Sequence, residues 1–125
     1  MVGKPIRVLL VDDEPMFLEA VRALLDLDER IDVVGTSDNG ESALELADER
    51  RPDVALVDLA MPGMNGYEVT KRLLKSLPSM RVLAVSGLSS QNDEVRAREA
   101  GATAFLLKGG LHDEVAEAIV NAVQH

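Results

Sequence analysis

Four separate apolar runs in this 125-residue chain each end in a different reactive group. Residues 6–11 run into Asp12-Asp13, and residues 54–57 run into Asp58. Residues 82–85 stop at Ser86, and residues 104–107 at Lys108. If the runs are parallel strands of one sheet, all these groups gather at its carboxyl edge, where open α/β sheets bind ligands. Three carboxylates, a hydroxyl and an amine held together describe a site for a divalent cation and a phosphoryl group. Carboxylates a few ångströms apart raise one another's pKa unless a positive charge neutralises them. A hard cation with oxygen ligands does this, and Lys108 adds a second positive charge. Mg2+ suits such a set, because it keeps several waters and takes one or two carboxylates plus phosphate oxygens.

Each group also has an ordinary alternative. Asp12-Asp13-Glu14 before Pro15 could cap a helix. Asp58 could be a turn residue ahead of Met61-Pro62, Ser86 a loop start before Gly87, and Lys108 a solvated surface lysine. Their shared position relative to four strands is what favours a site.

The elements that must position these groups alternate strand and helix five times with short connections, the pattern of a parallel sheet covered on both faces. Near-continuous apolar strands such as Val8-Leu9-Leu10-Val11 are what double-sided burial requires. Pro15 opens the first helix, in which Phe17, Val21, Leu24 and Leu25 recur at helical spacing. A second strand is expected over residues 31–36, then a helix over 40–50 whose start, Asp38-Asn39-Gly40-Glu41, is close to a capping box. The third strand is expected at 53–57, followed by the breaker-rich loop Met61-Pro62-Gly63-Met64-Asn65-Gly66 and a helix over 66–77. The fourth strand covers 81–85 and the fourth helix 91–100, with Gly101 as its C-terminal cap. A fifth strand, 103–107, precedes Gly109-Gly110 and a last helix with Leu111, Val115, Ile119, Ala122 and Val123 inward. Met16 and Met64 are expected to fill space in the core. The expected fold is a single α/β domain over residues 1–125, a doubly wound (βα)5 parallel sheet of flavodoxin-like topology with strand order 2-1-3-4-5.

Bulk properties agree with one domain. A chain of this length buries roughly two thirds of its unfolded surface. Hydrophobic residues make up 46% of it, enough for a core. No apolar run approaches the ~20 residues of a membrane span, and residues 1–7 lack the pattern of a secretory signal. The absence of cysteine excludes disulfides and thiolate metal sites and fits a cytoplasmic location. A net charge of −9 opposes nucleic-acid binding by these residues themselves.

The chain resembles the receiver domains of two-component response regulators, CheY-like in fold, over essentially its whole length. The resemblance is carried by Asp12-Asp13, by Asp58 with Met61-Pro62-Gly63 behind it, by Ser86, by Phe105 and by Lys108, in family order. Phe105-Leu106-Leu107-Lys108, and Val33-Val34-Gly35 leading to Asn39-Gly40-Glu41, are similar to the NarL/FixJ-type subclass, whose receivers usually precede a helix-turn-helix DNA-binding domain. The resemblance implies that a sensor histidine kinase transfers its phosphoryl group to Asp58. It implies Mg2+ held by Asp13, Asp58 and the backbone carbonyl of Ala60, with Asp12 acting through water, and Lys108 stabilising the transferring charge. It further implies that Ser86 moves inward to meet the phosphoryl group and that Phe105 follows into the space behind it. The surface of helix four, strand five and helix five then changes, and a partner or a second copy reads it. The only chemistry implied is the domain's own phosphorylation and dephosphorylation.

The chain departs from the family pattern after Lys108, where Gly109-Gly110 replaces the common proline. A cis non-prolyl bond costs about 3–4 kcal/mol, so trans geometry or a flexible loop is expected. Phe105 replaces the commoner tyrosine, and Ser86 a threonine. Ala60 and Leu88 carry no polar group to orient an attacking water, which implies slow self-dephosphorylation. His112 and His125 are expected away from the pocket, and Arg96, Arg98 and Glu99 on a solvated helix face, with the two arginines able to pair across a dimer. A flavin carrier of the same topology is disfavoured, because Asp12-Asp13-Glu14 sits where such proteins bind phosphate and the chain has no tryptophan. A Mg2+-dependent aspartate phosphatase is disfavoured because Leu59-Ala60, not a second aspartate, follows Asp58. A pseudo-receiver is disfavoured because every key group is present. A stand-alone receiver and one followed by a DNA-binding domain both remain open.

Overall fold

The computed structural model describes residues 3–87 and 91–124, with His112 and Asp113 described by their backbone alone. Five strands alternate with five helices: β1 (Ile6–Val11), α1 (Pro15–Asp26), β2 (Ile31–Ser37), α2 (Gly40–Arg50), β3 (Val54–Asp58), α3 (Gly66–Ser76), β4 (Arg81–Ser86), α4 (Gln91–Ala100), β5 (Ala104–Leu107) and α5 (Val115–Gln124). All pairings are parallel and the strand order is β2-β1-β3-β4-β5, as the alternating pattern predicts. The period-2 geometry of a strand explains the unbroken apolar runs. Val8 and Leu10 pack on one face with Val21 and Leu25 of α1 and Val115 and Ile119 of α5. Leu9 and Val11 pack on the other with Ala43 and Ala47 of α2 and Val69 and Leu73 of α3.

The helix ends follow local chemistry. Pro15 opens α1. The Asn39 side chain accepts from the Ser42 N–H at 2.8 Å, and that of Asn65 from the Glu68 N–H at 3.0 Å. The capping box expected at α2 is therefore only half formed: Ser42, not an acid, stands three residues after the cap. At the end of α4, Gly101 adopts a φ of +112°, with its N–H on the Arg98 carbonyl and that of Ala102 on Ala97. This double closure is the C-cap the glycine predicts.

Several boundaries and side chains differ from expectation. β3 starts at Val54, one residue later than expected, although the Asp53 N–H donates to the Arg7 carbonyl and its carboxylate accepts the Arg7 N–H at 2.9 Å. The last helix is split into a 3-10 turn, Lys108–Asp113, and α5. Leu111, Val115, Ile119 and Ala122 point inward, but Val123 is exposed, since the end of α5 passes the amino edge of the sheet and lines an open groove with Arg51, Pro52 and Arg81. Met64 fills space against Gly40, where a Cβ would approach its sulfur to 2.8 Å. Met16 does not fill space. It is 83% exposed, nine residues and about two and a half turns from buried Leu25, hence on the opposite side of α1. No peptide bond is cis among the described residues, so Lys108–Gly109 is trans, as expected. Among the described residues no helix is long and apolar enough to cross a membrane.

Candidate functional site

Strand register builds the site. Val11 of β1 pairs with Val57 of β3, so the next residues, Asp12 and Asp58, emerge side by side at the carboxyl edge. Asp58 pairs in turn with Val85, one residue before Ser86, and Ser86 pairs with Leu107, one residue before Lys108. Asp12 and Asp58 are both buried, and so is Ser86 at the end of β4. Lys108 is far from a solvated surface lysine, with only 15% of its side chain exposed.

The two oxygens of Asp12 divide two roles between them. Oδ1 accepts the Glu14 N–H at 2.8 Å and closes the turn before α1, whereas the helix-capping role open to the acidic run is not taken up, since no side chain caps α1. Oδ2 is buried and pairs with the Lys108 ammonium at 2.9 Å. The same ammonium is 3.7 Å from Asp58 Oδ2, pairs with the Glu14 carboxylate, and sits 4.5 Å from the centre of the Phe17 ring. Asp58 Oδ1 accepts the Ala60 N–H at 3.2 Å.

The electrostatics follow from this arrangement. Burial pushes the Asp58 carboxyl up to about 6, and the Asp12 charge and the Asp13 carboxyl within hydrogen-bonding reach push the same way, against the Ala60 N–H and Lys108. Burial would lower the Lys108 pKa, but hydrogen bonds to Glu14 and Asp12 and the charge of Asp58 outweigh it, so the ammonium is held protonated. One cation therefore faces Asp12, Glu14 and Asp58, with Asp13 against Asp58. Oxygens of Asp12, Glu14 and Asp58 lie within 4.8 Å of one another. This wholly oxygen donor set fits a hard divalent cation.

The structure thus brings Asp12, Asp13, Asp58, Ala60 and Lys108 together, with Ser86 on the adjoining strand end. Phe105 is half-buried, packed with Tyr67 against Leu59, Ala84, Ala97 and Ala102. Arg96 and Arg98 are not merely solvated. Arg96 stacks on the Tyr67 ring at 4.1 Å, and Arg98 pairs with Glu94 and donates to the Thr103 carbonyl. Leu88, His125 and the His112 side chain lie outside the described residues.

Sequence reasoning missed two participants. Glu14 appeared only as part of an acidic run, although it directly follows the pair and its carboxylate reaches Lys108. Gly66 appeared only as the end of a breaker-rich loop and the start of a helix. A Cβ there would lie 2.3 Å from the Asp58 carbonyl oxygen and 2.5 Å from the Leu59 Cα, so only glycine lets α3 lie this close to the end of β3. The second glycine of the breaker-rich loop was the available signal.

A family model described as response regulator receiver domain matches residues 8–120. The chain belongs to the response regulator receiver domain family. This receiver is 40% identical over 118 residues to the transcriptional regulatory protein LnrK of Bacillus subtilis, covering 94% of this chain and 52% of that one. It is 38% identical over 119 residues to the nitrate/nitrite response regulator NarL of Escherichia coli, covering 95% and 55%. The receiver thus spans about half the length of the curated relatives it matches. Among solved structures, the signal receiver domain of NarL from Mycobacterium tuberculosis superposes with a TM-score of 0.90 at 36% identity, covering 98% of each chain. The response regulator domain of Thermotoga maritima CheB gives 0.89 at 30%, also covering 98% of each. The receiver is a phosphorylation switch of the two-component type, and its relatives include transcription regulators.

Proposed function

We propose that residues 1–125 form a receiver that takes a phosphoryl group from a sensor histidine kinase onto Asp58. The observation that supports this most is the buried Asp58 carboxylate with the Lys108 ammonium 3.7 Å from its Oδ2 and Asp12 beside it. The Asp58 carboxylate attacks phosphorus, the phosphohistidine nitrogen leaves with the bonding pair, and an aspartyl phosphate results. Such transfer needs positioning and charge neutralisation more than covalent machinery. Asp13, Asp58 and the Ala60 carbonyl would hold Mg2+, with Asp12 acting through water. The cation, when bound, neutralises charge on the transferring oxygens. Lys108 supplies a second positive charge beside Asp58 Oδ2, and the Ala60 N–H keeps Asp58 Oδ1 oriented.

Phosphorylation adds about −1.5 to −2 charge and three acceptor oxygens. Ser86 then turns its hydroxyl to the phosphoryl group, and Phe105, now half-buried beside Ala84 and Ala97, moves into the vacated space. This biases a two-state surface formed by α4, β5 and α5. We read the output as transcription, through a DNA-binding domain outside these residues, with a homodimer forming on phosphorylation and a cytoplasmic location. The net charge of −9 keeps DNA contact with that other domain. A stand-alone receiver acting by protein–protein contact is the second reading. In either case the domain catalyses only its own phosphorylation and its slow hydrolysis. Treatment with acetyl phosphate and Mg2+, comparing wild type with Asp58→Asn by intact mass and sizing, tests site, cation and oligomer together. Equal labelling of the two proteins would refute the assignment of Asp58.

A further inference from the structure

We propose that Phe17 is a positioning residue for Lys108, its ring face and the Glu14 carboxylate together holding the ammonium over the acceptor. This rests on the reading of Asp58 as the phosphoacceptor. The centre of the Phe17 ring is 4.5 Å from Lys108 Nζ, within the range where the negative face of an aromatic ring attracts a cation. Glu14 is the extended residue that leads into α1 and Phe17 lies in its first turn, and both side chains reach the same ammonium. One supplies a charge and the other a ring.

The 3-10 turn after Lys108 holds the backbone, but its two glycines bring no side chain to bear on the lysine stem. Gly109 and Gly110 have no atom within 4 Å of where a Cβ would stand, so packing of side chains cannot fix the backbone there. Lysine carries a flexible four-carbon stem whose freedom must be restricted if its ammonium is to act without reorganisation. Phe17 can impose that restriction because it is itself fixed. It packs against the core of Val21, Leu25, Leu56 and Val85, and lines a small cavity shared with Asp12 and Asp58. The ring is therefore a wall of the site as well as part of the core, and α1 does the aiming that the diglycine cannot.

Core packing alone would also place an aromatic here, so the test must alter the ring's electrostatics without altering its shape. In the full chain, Phe17 is replaced by mono-, di- and trifluorophenylalanine, which progressively weaken the negative face. Phosphorylation by acetyl phosphate with Mg2+ is followed by intact mass, and folding by thermal unfolding. The rate falls stepwise, by about three- to tenfold at the trifluoro ring, while Phe17→Tyr stays within about twofold of wild type. Phe17→Leu falls at least as far as the trifluoro ring. Should Phe17→Leu fail to fold, the fluorinated series decides alone. A flat series overturns the proposal and leaves Phe17 as core. If wild type takes up no phosphoryl group, or Asp58→Asn takes it up equally, the reading of Asp58 fails and this proposal with it.

Discussion

The two edges of the sheet use the same residue types with opposite electrostatic logic. At the amino edge Asp28, Glu117 and Asp53 each meet a cation or an amide. Arg30 bridges Asp28 and Glu117 at 2.8 and 2.7 Å, and Asp53 accepts the Arg7 N–H. Arg30 holds the Asp28 carboxyl down to about 2, chiefly through its side-chain hydrogen bond. At the carboxyl edge three acids, Asp12, Glu14 and Asp58, share one ammonium, two of them are buried, and Asp58 rises to about 6. Exposed, alternating pairs add little to stability and ask for nothing more. The buried like charges keep an unresolved repulsion that only an incoming cation or proton relieves. That contrast separates the edge that ends the fold from the edge that works.

The sharpest way to break the contrast is at Gly66. Gly66→Ala drives a Cβ into the Asp58 carbonyl, which neither backbone can evade cheaply. It should destabilise the domain at or above the upper end of the about 1–3 kcal/mol typical of overpacking. Phosphorylation should slow as the acceptor shifts, measured by urea unfolding and acetyl phosphate labelling. A fully stable and active variant would contradict the close approach of α3 to β3.

Mg2+ should act on one edge only. At a hundredfold excess over its Kd it adds about 2.7 kcal/mol to wild-type stability. Asp58→Asn should lose most of that gain, whereas Asp28→Asn should keep it, as read by melting temperature with and without chelator. Comparable gains in both variants would place the cation elsewhere.

Acid distinguishes the edges without metal. The folded pKa of Asp58, about 6, lies above its ordinary 3.8, so its ionised form costs stability at pH 7 and that cost disappears as pH falls through 6 toward 4. Asp58→Asn should therefore be the more stable protein at pH 7, with its advantage shrinking by pH 4. Asp28 behaves oppositely: its stabilisation is complete above 3.8 and is lost only as pH falls toward 2. Denaturation of the metal-free proteins across pH 2–7 checks both signs, and an Asp58→Asn advantage that grows toward pH 4 would contradict the buried repulsion.

The smallest effect belongs to the diglycine. Nothing obstructs a side chain at Gly109, and its φ lies outside the left-handed region. Gly109→Ala should stabilise the domain by about 0.4–1 kcal/mol, because it restricts the unfolded chain at a compatible position. A loss of stability in chemical denaturation would show that the 3-10 turn needs glycine there.

What could be read from the sequence was whatever depends on neighbours along the chain. Asp12, Asp58, Ser86 and Lys108 each terminate an apolar run, and a parallel sheet with short crossovers must bring such ends to one edge. Helix punctuation was equally local: Pro15 opens α1, Gly101 closes α4 with its positive φ, and Asn39 caps α2. Side-chain placement across helices was not legible. Met16 and Met64 look alike in sequence, yet one is solvent-exposed and the other fills a gap left by Gly40.

By itself, then, the order of apolar runs and their terminal residues determined the topology and the chemistry gathered at its rim, because strand periodicity and chain connectivity admit few alternatives. Only the tertiary structure decided how α1 leans across that rim, putting Glu14 and Phe17 on Lys108, and how nearly α3 approaches the Asp58 backbone. Those distances arise from packing between segments far apart in the chain, where a shift of an ångström changes the chemistry and leaves no trace in residue spacing.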